Sequence, residues 1–249
     1  MQTWHTSDGQ TIRRVLSGRS NAFLISRENH HVLVDAGRAG SFHRLKRNLD
    51  QLRVSKDGIS AFVLTHAHFD HAENAKHVQT DFASNVIIQL EDADCLSSGE
   101  NPVIFGTTHF TRLLTNLFGK RVLSLAHYTP VTPDITFNET FDLNPFGVNA
   151  YLLHTPGHSS GSACVIVNRE IALVGDTLFG VFRNAVFPPF ADLPLVLIES
   201  WRMLLDTDCT LFLPSHGGEI TRELLQREYA NYRKRAEAFS DSPDQRPIL

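Results

Sequence analysis

The stretch Thr65-His66-Ala67-His68-Phe69-Asp70-His71 places four potential metal ligands within six residues, directly behind the apolar run Ala61–Leu64. In an extended chain, residues two apart project to the same side, so His66 and His68 can offer their ring nitrogens to one ion. Asp70 and His71 fall where the chain should turn into a helix and can face a second ion a few ångströms away. Three further donors stand where apolar runs meet loops: His158 after Thr155-Pro156-Gly157, Asp176 at the end of Ala172–Gly175, and His216 at the end of Leu211–Ser215. Such junctions combine a rigid scaffold with an open site. Five imidazoles and two carboxylates make a donor set that favours zinc, with iron and manganese chemically reasonable.

The elements that must position these donors can be read from periodicity. Strands are expected at Ala22–Ser26, His31–Val34, Ala61–Leu64 and Val86–Leu90, and again at Ala150–His154, Ala163–Val167, Ile171–Val174 and Thr210–Leu213. Helices are expected after a Ser41 cap, where Phe42, Leu45, Leu49 and Leu52 recur at helical spacing, and over Ala72–Gln79. Two more should run from Leu193 to Leu205, capped by Asp192 with Pro194 in the first turn, and from Thr221 to Phe239. The tail after Ser240 should fray. The segment from Glu91 to Tyr128 reads as a helical insertion with one clear helix, capped by Thr107 or Thr108, carrying Phe110, Leu113, Leu114, Leu117 and Phe118 and stopped by Gly119. That stripe should pack on the parent domain or on a second subunit, the latter making a homodimer; a lid is the other reading. With no low-complexity linker, residues 1–249 read as one domain of two β-rich halves with helices on the outer faces.

Composition bounds the function classes. A 249-residue chain that is 42% hydrophobic and contains 17 Phe can bury a substantial core, and a net charge of −4 gives no general reason to bind nucleic acid or anionic membrane. A small-molecule substrate is the expected partner. Residues 1–16 lack the apolar run of a secretory signal, no apolar stretch reaches membrane-spanning length, and Cys95, Cys164 and Cys209 are odd in number and widely spaced. A cytoplasmic protein with reduced thiols is expected.

Taken together, the motifs resemble the metallo-β-lactamase superfamily from Asn21 to His216: Val34-Asp35-x-Gly37, His66-x-His68-x-Asp70-His71, Pro156-Gly157-His158, Gly175-Asp176-Thr177 and Ser215-His216-Gly217. The resemblance implies an α+β fold, a four-layer αββα sandwich of two mixed sheets with the metals in a cleft at one edge. It implies that His66, His68 and His158 hold a first metal, that Asp70, His71 and His216 hold a second, and that Asp176 bridges them. Two such cations, about 3.5–4 Å apart, lower the pKa of a bridging water and polarise the electrophile, for which hydrolysis is the natural use. Asp70 is the catalytic candidate, with one oxygen for metal and another to orient the hydroxide and carry a proton. Asp35 is placed to hold a histidine N–H or a loop amide; a plain turn-forming role is its other reading.

The superfamily spans many substrates, so departures are informative. A bridging Asp176 argues against a true β-lactamase. Gly175-Asp176-Thr177-Leu178-Phe179 is similar to glyoxalase II, yet Gly180-Val-Phe-Arg183-Asn-Ala stands where Gly-Cys-Gly-Arg is usual, and no helical glutathione-binding domain is recognisable after His216. RNA processing is disfavoured because the acidic balance supplies no obvious phosphate-binding surface. Phe69, Phe179, Phe182 and the run from Phe187 to Phe190 lie near ligand-bearing loops, which points to a small, partly hydrophobic ester, thioester or lactone. A mononuclear-iron sulfur dioxygenase and a non-catalytic metal-binding protein are the alternatives. His154 reads as structural, and His109 and His127 as surface residues.

Overall fold

Each half of the chain forms its own sheet. The computed structural model describes residues 1–102, 105–108, 110–113, 115, 117 and 127–240. Strands β1 (Thr3–His5), β2 (Thr11–Leu16), β3 (Ala22–Arg27), β4 (His30–Val34), β5 (Ile59–Val63), β6 (Asn85–Gln89) and β7 (Ile135–Phe137) make a seven-stranded sheet in chain order. Pairing is antiparallel up to β4 and parallel from β4 to β7. The second, six-stranded sheet contains β8 (Thr140–Asp142), β9 (Ala150–His154), β10 (Ala163–Val167), β11 (Ile171–Gly175), β12 (Leu211–Pro214) and β13 (Ile220–Thr221). It is antiparallel except between β11 and β12.

The two-residue period of the strands sorts their side chains into layers. Phe23 and Ile25 of β3, paired in register with Val34 and Val32 of β4, meet Leu152, Val165 and Leu173 of the other sheet in the central layer. The alternate residues Leu24, Leu33 and Phe62 face outward against α1 (Phe42–Gln51), α3 (Ala75–Phe82) and α4 (Ala93–Ser98), through Leu45, Leu49, Val78 and Leu96. On the far side, Ile166, Ala172, Val174 and Phe212 pack on α5 (Pro194–Leu205) and α6 (Arg222–Ser240), through Leu197, Trp201 and Leu225. The result is the expected αββα sandwich. Trp201 is fully buried, contacts Phe187 edge-on at 5.4 Å, and donates its indole N–H to the Thr177 carbonyl at 2.8 Å. It therefore ties α5 to the loop that follows Asp176.

The structure departs from the sequence reading at several elements. Strands β1, β2, β7, β8 and β13 are not among the expected ones; β1, β7, β8 and β13 are two or three residues long, and in β2 the adjacent Arg13 and Arg14 break the alternation. The helix expected over Ala72–Gln79 is two helices, α2 (Phe69–Ala72) and α3, divided at Glu73-Asn74. Asn74 is fully buried and its amide donates into the turn of residues 36–38, which fixes the break. Ser41 precedes α1, but its hydroxyl donates to the Arg38 carbonyl at 2.6 Å and caps nothing. Asp192 does not cap α5 either, since Leu193 holds that position. In the 91–128 segment α4 is an additional helix, and residues 110–113 are helical behind Thr108, whose hydroxyl accepts from the Thr111 amide. Phe110, Leu113 and Leu117 are exposed and do not pack on the sandwich; Leu114, Phe118, Gly119 and His109 lie outside the described residues, as does the tail after Ser240.

Candidate metal centre

Four segments at one edge of the two sheets carry the donors. The β5–α2 turn brings His66, His68, Asp70 and His71; the β9–β10 turn brings His158; Asp176 follows β11 and His216 follows β12. Backbone shape is part of the design. Gly157 has φ +127°, and a Cβ there would lie 2.4 Å from the Leu197 backbone nitrogen. Gly175 has φ +51°, and its Cβ would sit 2.8 Å from the Thr65 side chain, so the loops bearing His158 and Asp176 approach their neighbours only with glycine present.

All seven residues come together. Three overlapping triads have donor atoms within 4.8 Å of one another: His66, His68 and His158; Asp70, His71 and His216; and His66, His71 and Asp176. Asp176 lies between the first two, with Oδ2 3.6 Å from His158 Nε2 and 3.2 Å from His216 Nε2, and Oδ1 3.6 Å from His71 Nε2. Asp70 Oδ2 is 3.4 Å from His216 Nε2.

The supporting hydrogen bonds decide which nitrogen each imidazole presents. Asp35 accepts from His71 Nδ1 at 2.8 Å and from the Thr65 amide and hydroxyl. Since the Thr65 hydroxyl donates to Asp35, it accepts from His66 Nδ1 at 3.1 Å. His158 Nδ1 donates to the Phe190 carbonyl at 2.9 Å. These three rings are thus held by Nδ1, turning Nε2 toward the centre. His66 Nε2, His68 Nε2, His71 Nε2 and Asp176 Oδ1 are buried and have no hydrogen-bond partner. An unpartnered buried polar atom is costly, and His66, His71 and Asp176, whose donor atoms lie within 4.8 Å of one another, match a cation in their midst. His68 Nδ1 and His158 Nε2 stand 3.0 Å apart, close to the roughly 3.3–3.4 Å edge of a tetrahedral zinc site.

Electrostatics divides the site. Burial and the neighbouring imidazole His158 push His68 down to about 3, and burial also lowers His66 and His158, so these three rings are neutral donors. At His71, burial opposes protonation but Asp35, Asp70 and Asp176 outweigh it and raise the ring to about 9. At His216 the same contest, won by Asp176 and Asp70, gives about 11. Burial likewise opposes ionisation of Asp176, yet His216 and His71 hold it well below the usual carboxylate range. The carboxylates attract positive charge strongly, and in the metal-free protein protons on His71 and His216 provide it.

Some supporting groups carry no sequence signal. Asp92, 1% exposed, accepts from the Ala67 amide at 2.8 Å, the Ser159 hydroxyl at 3.1 Å and the Gly161 amide at 3.0 Å, clasping the His66–His68 loop to the His158 loop. Asn101 accepts from the Phe69 amide, and the Tyr128 hydroxyl donates to the Ala67 carbonyl. Beside the donors lies a cavity of about 180 Å³ walled by Phe69, Phe179 and the run from Pro188 to Phe190. Phe187 belongs instead to the core against Trp201, and Phe182 is exposed. His154 Nε2 donates to the Ser160 carbonyl at 2.8 Å, and His127 is exposed. Among the described residues no helix is long and apolar enough to cross a membrane.

Residues 17–216 match the family model of the metallo-β-lactamase superfamily. An uncharacterized protein of Mycobacterium leprae is 31% identical over 76% of this chain and 82% of its own. An atrochrysone carboxyl ACP thioesterase of Aspergillus fumigatus is 23% identical over 90% of this chain and 62% of its own. A metallo-β-lactamase structure from Cronobacter sakazakii superposes with a TM-score of 0.66 at 20% identity, covering 96% of this chain and 93% of that one. On the family match across most of its length, the chain belongs to the metallo-β-lactamase superfamily.

Proposed function

We propose that the protein is a hydrolase with a dinuclear metal site that cleaves a small ester, thioester or lactone. The observation that carries this reading is the set of bare, buried donors, His66 Nε2, His71 Nε2 and Asp176 Oδ1, facing one another without a hydrogen-bond partner. His66, His68 and His158 would hold one ion and Asp70, His71 and His216 the other, with Asp176 shared. Bound there, two divalent ions, zinc in first place for this donor set, supply Lewis acidity and water activation near neutral pH.

The protein's own groups supply the rest. Asp70, which lines the cavity and is more exposed than His66, His68, His71 and His158, would orient the attacking water and take and return its proton. Phe69, Phe179 and Phe190 offer the scissile group a largely apolar wall that restricts competing water. The thioesterase among the relatives supports an acyl substrate, and the small volume supports a short acyl or lactone group in the cavity.

The test is turnover of a panel of acyl esters, thioesters and lactones by the metal-loaded protein, before and after chelator and then after zinc or manganese is restored. Hydrolysis of at least one class, abolished by chelation and recovered with metal, is the expected result. A fully metal-loaded protein inert on every class, or oxygen uptake with a persulfide by an iron-loaded sample, contradicts the reading.

A further inference from the structure

A second cavity, about 520 Å³, adjoins the metal centre and is lined by Arg19, Arg38 and Arg44 with Ser20, Gly40 and Ser41. The arginines come from separate loops and a helix, 19 and 25 residues apart at the extremes of the cluster's spacing from Arg19, so the chain's net negative charge conceals them. Resting on the hydrolase reading above, we propose that this cavity is an anion subsite which binds a phosphate group on the substrate, so that the enzyme acts on phosphorylated acyl esters or thioesters.

Three observations support it. First, among the described residues no ion pair joins Arg19, Arg38 or Arg44 to a carboxylate; the ion pairs of arginine and lysine lie elsewhere. Arg44 makes only a main-chain bond, to the Ser17 carbonyl at 2.8 Å, and the nearby Glu73 is turned to the Ala39 amide at 2.7 Å. Three guanidinium groups without acidic partners around one cleft give a positive field and forked donors matched to phosphate oxygens.

Second, the cleft is built. The Arg38 carbonyl is held by the Ser41 hydroxyl at 2.6 Å and by the buried Asn74 amide at 2.6 Å, which fixes the chain where Arg38 departs. Its guanidinium lies over the Phe69 ring, 5.6 Å from the centroid, and stacking leaves its edge N–H groups available. Third, this cavity and the metal pocket share a wall. Phe69 lines the metal pocket and stacks with Arg38, and the Ser20 hydroxyl, at the edge of the basic cavity, donates to the Asp70 carbonyl at 2.5 Å. A substrate can therefore place an acyl carbon beside Asp70 and a phosphate beside Arg38.

The test compares S-acetyl-4′-phosphopantetheine with S-acetylpantetheine, which differ only in the phosphate, using metal-loaded protein and its Arg19→Ala/Arg38→Ala/Arg44→Ala variant. In parallel, inorganic phosphate binding to both proteins is titrated by calorimetry. The expected result is a kcat/KM preference of the unsubstituted protein for the phosphorylated thioester that falls about tenfold or more in the variant, with phosphate affinity weakened to a similar degree. A preference and a phosphate affinity that the three substitutions leave unchanged overturn the subsite while leaving the hydrolase reading intact. If neither thioester is cleaved, thioester hydrolysis fails, and the phosphate titration alone decides the subsite: unchanged affinity in the variant rejects it. Retained thermal unfolding temperature checks that the variant is folded.

Discussion

Asp35 Oδ2 lies 2.8 Å from His71 Nδ1, and both side chains are buried. The same carboxylate takes the Thr65 amide and hydroxyl and the Ser215 hydroxyl, so one aspartate fixes the loops of three donors. Asp35 does this from a left-handed backbone, φ +59°, a conformation that aspartate tolerates better than most residues. Replacing it removes the acceptor of a buried imidazole N–H. Asp35→Ala should lower metal affinity about 10- to 100-fold, measured by chelator competition, and destabilise the metal-free fold by about 1–3 kcal/mol in denaturant titration. Unchanged affinity would mean that Asp35 is only a turn residue.

Asp70→Ala should separate chemistry from folding. Asp70 is only partly buried, and its loop is held by other groups, namely Ser20 at its carbonyl and Asn101 at the neighbouring amide. Turnover should fall about 10²- to 10⁴-fold while the unfolding transition moves little. Full activity in the variant removes Asp70 from the mechanism.

Metal loading should release protons. In the metal-free protein His71 titrates at about 9 and His216 at about 11, so both are protonated at pH 7.5. An ion can take their Nε2 atoms only after those protons leave, so affinity at the Asp70 side should rise as pH climbs from 6 toward 9. His66, His68 and His158 are already neutral there, and the other triad should show little such dependence. Calorimetry in buffers of different ionisation enthalpy measures the protons released; none released across that range contradicts this account.

The clasp of Asp92 gives a further expectation. It is buried, and burial raises its carboxyl above the ordinary range, against the pull of the Ala67, Ser159 and Gly161 donors. Asp92→Ala should leave those donors unpartnered and weaken metal binding together with stability, the latter by about 1–3 kcal/mol. Asp92→Asn, which keeps its acceptor oxygen, should recover part of both. Equal losses in the two variants would point to charge, not geometry, as its contribution.

The seven donors that the fold brings together, and the strands beside them, were legible because their signals are local. His66, His68, Asp70 and His71 sit in one short string behind a buried strand, and His158, Asp176 and His216 each end an apolar run. The layered fold followed from the same runs. Asp92 was not legible, since nothing in Gln89-Leu-Glu-Asp-Ala separates a loop clasp from a surface acid, and its partners are 25 to 69 residues away. Nor was the basic cavity, because Arg19, Arg38 and Arg44 become neighbours only when the loops after β2 and β4 meet at the start of α1. The break inside the expected Ala72–Gln79 helix has no local signal, because Asn74 imposes it through tertiary bonds.

In the proposed function the seven donors hold two divalent ions with Asp176 shared. Elemental analysis of the protein purified without chelator, beside an Asp176→Asn variant, counts them. Two divalent ions per chain, reduced toward one or none when the shared carboxylate is lost, is the predicted result. A single ion in the unsubstituted protein at saturating metal, or no tightly held metal at all, would contradict it.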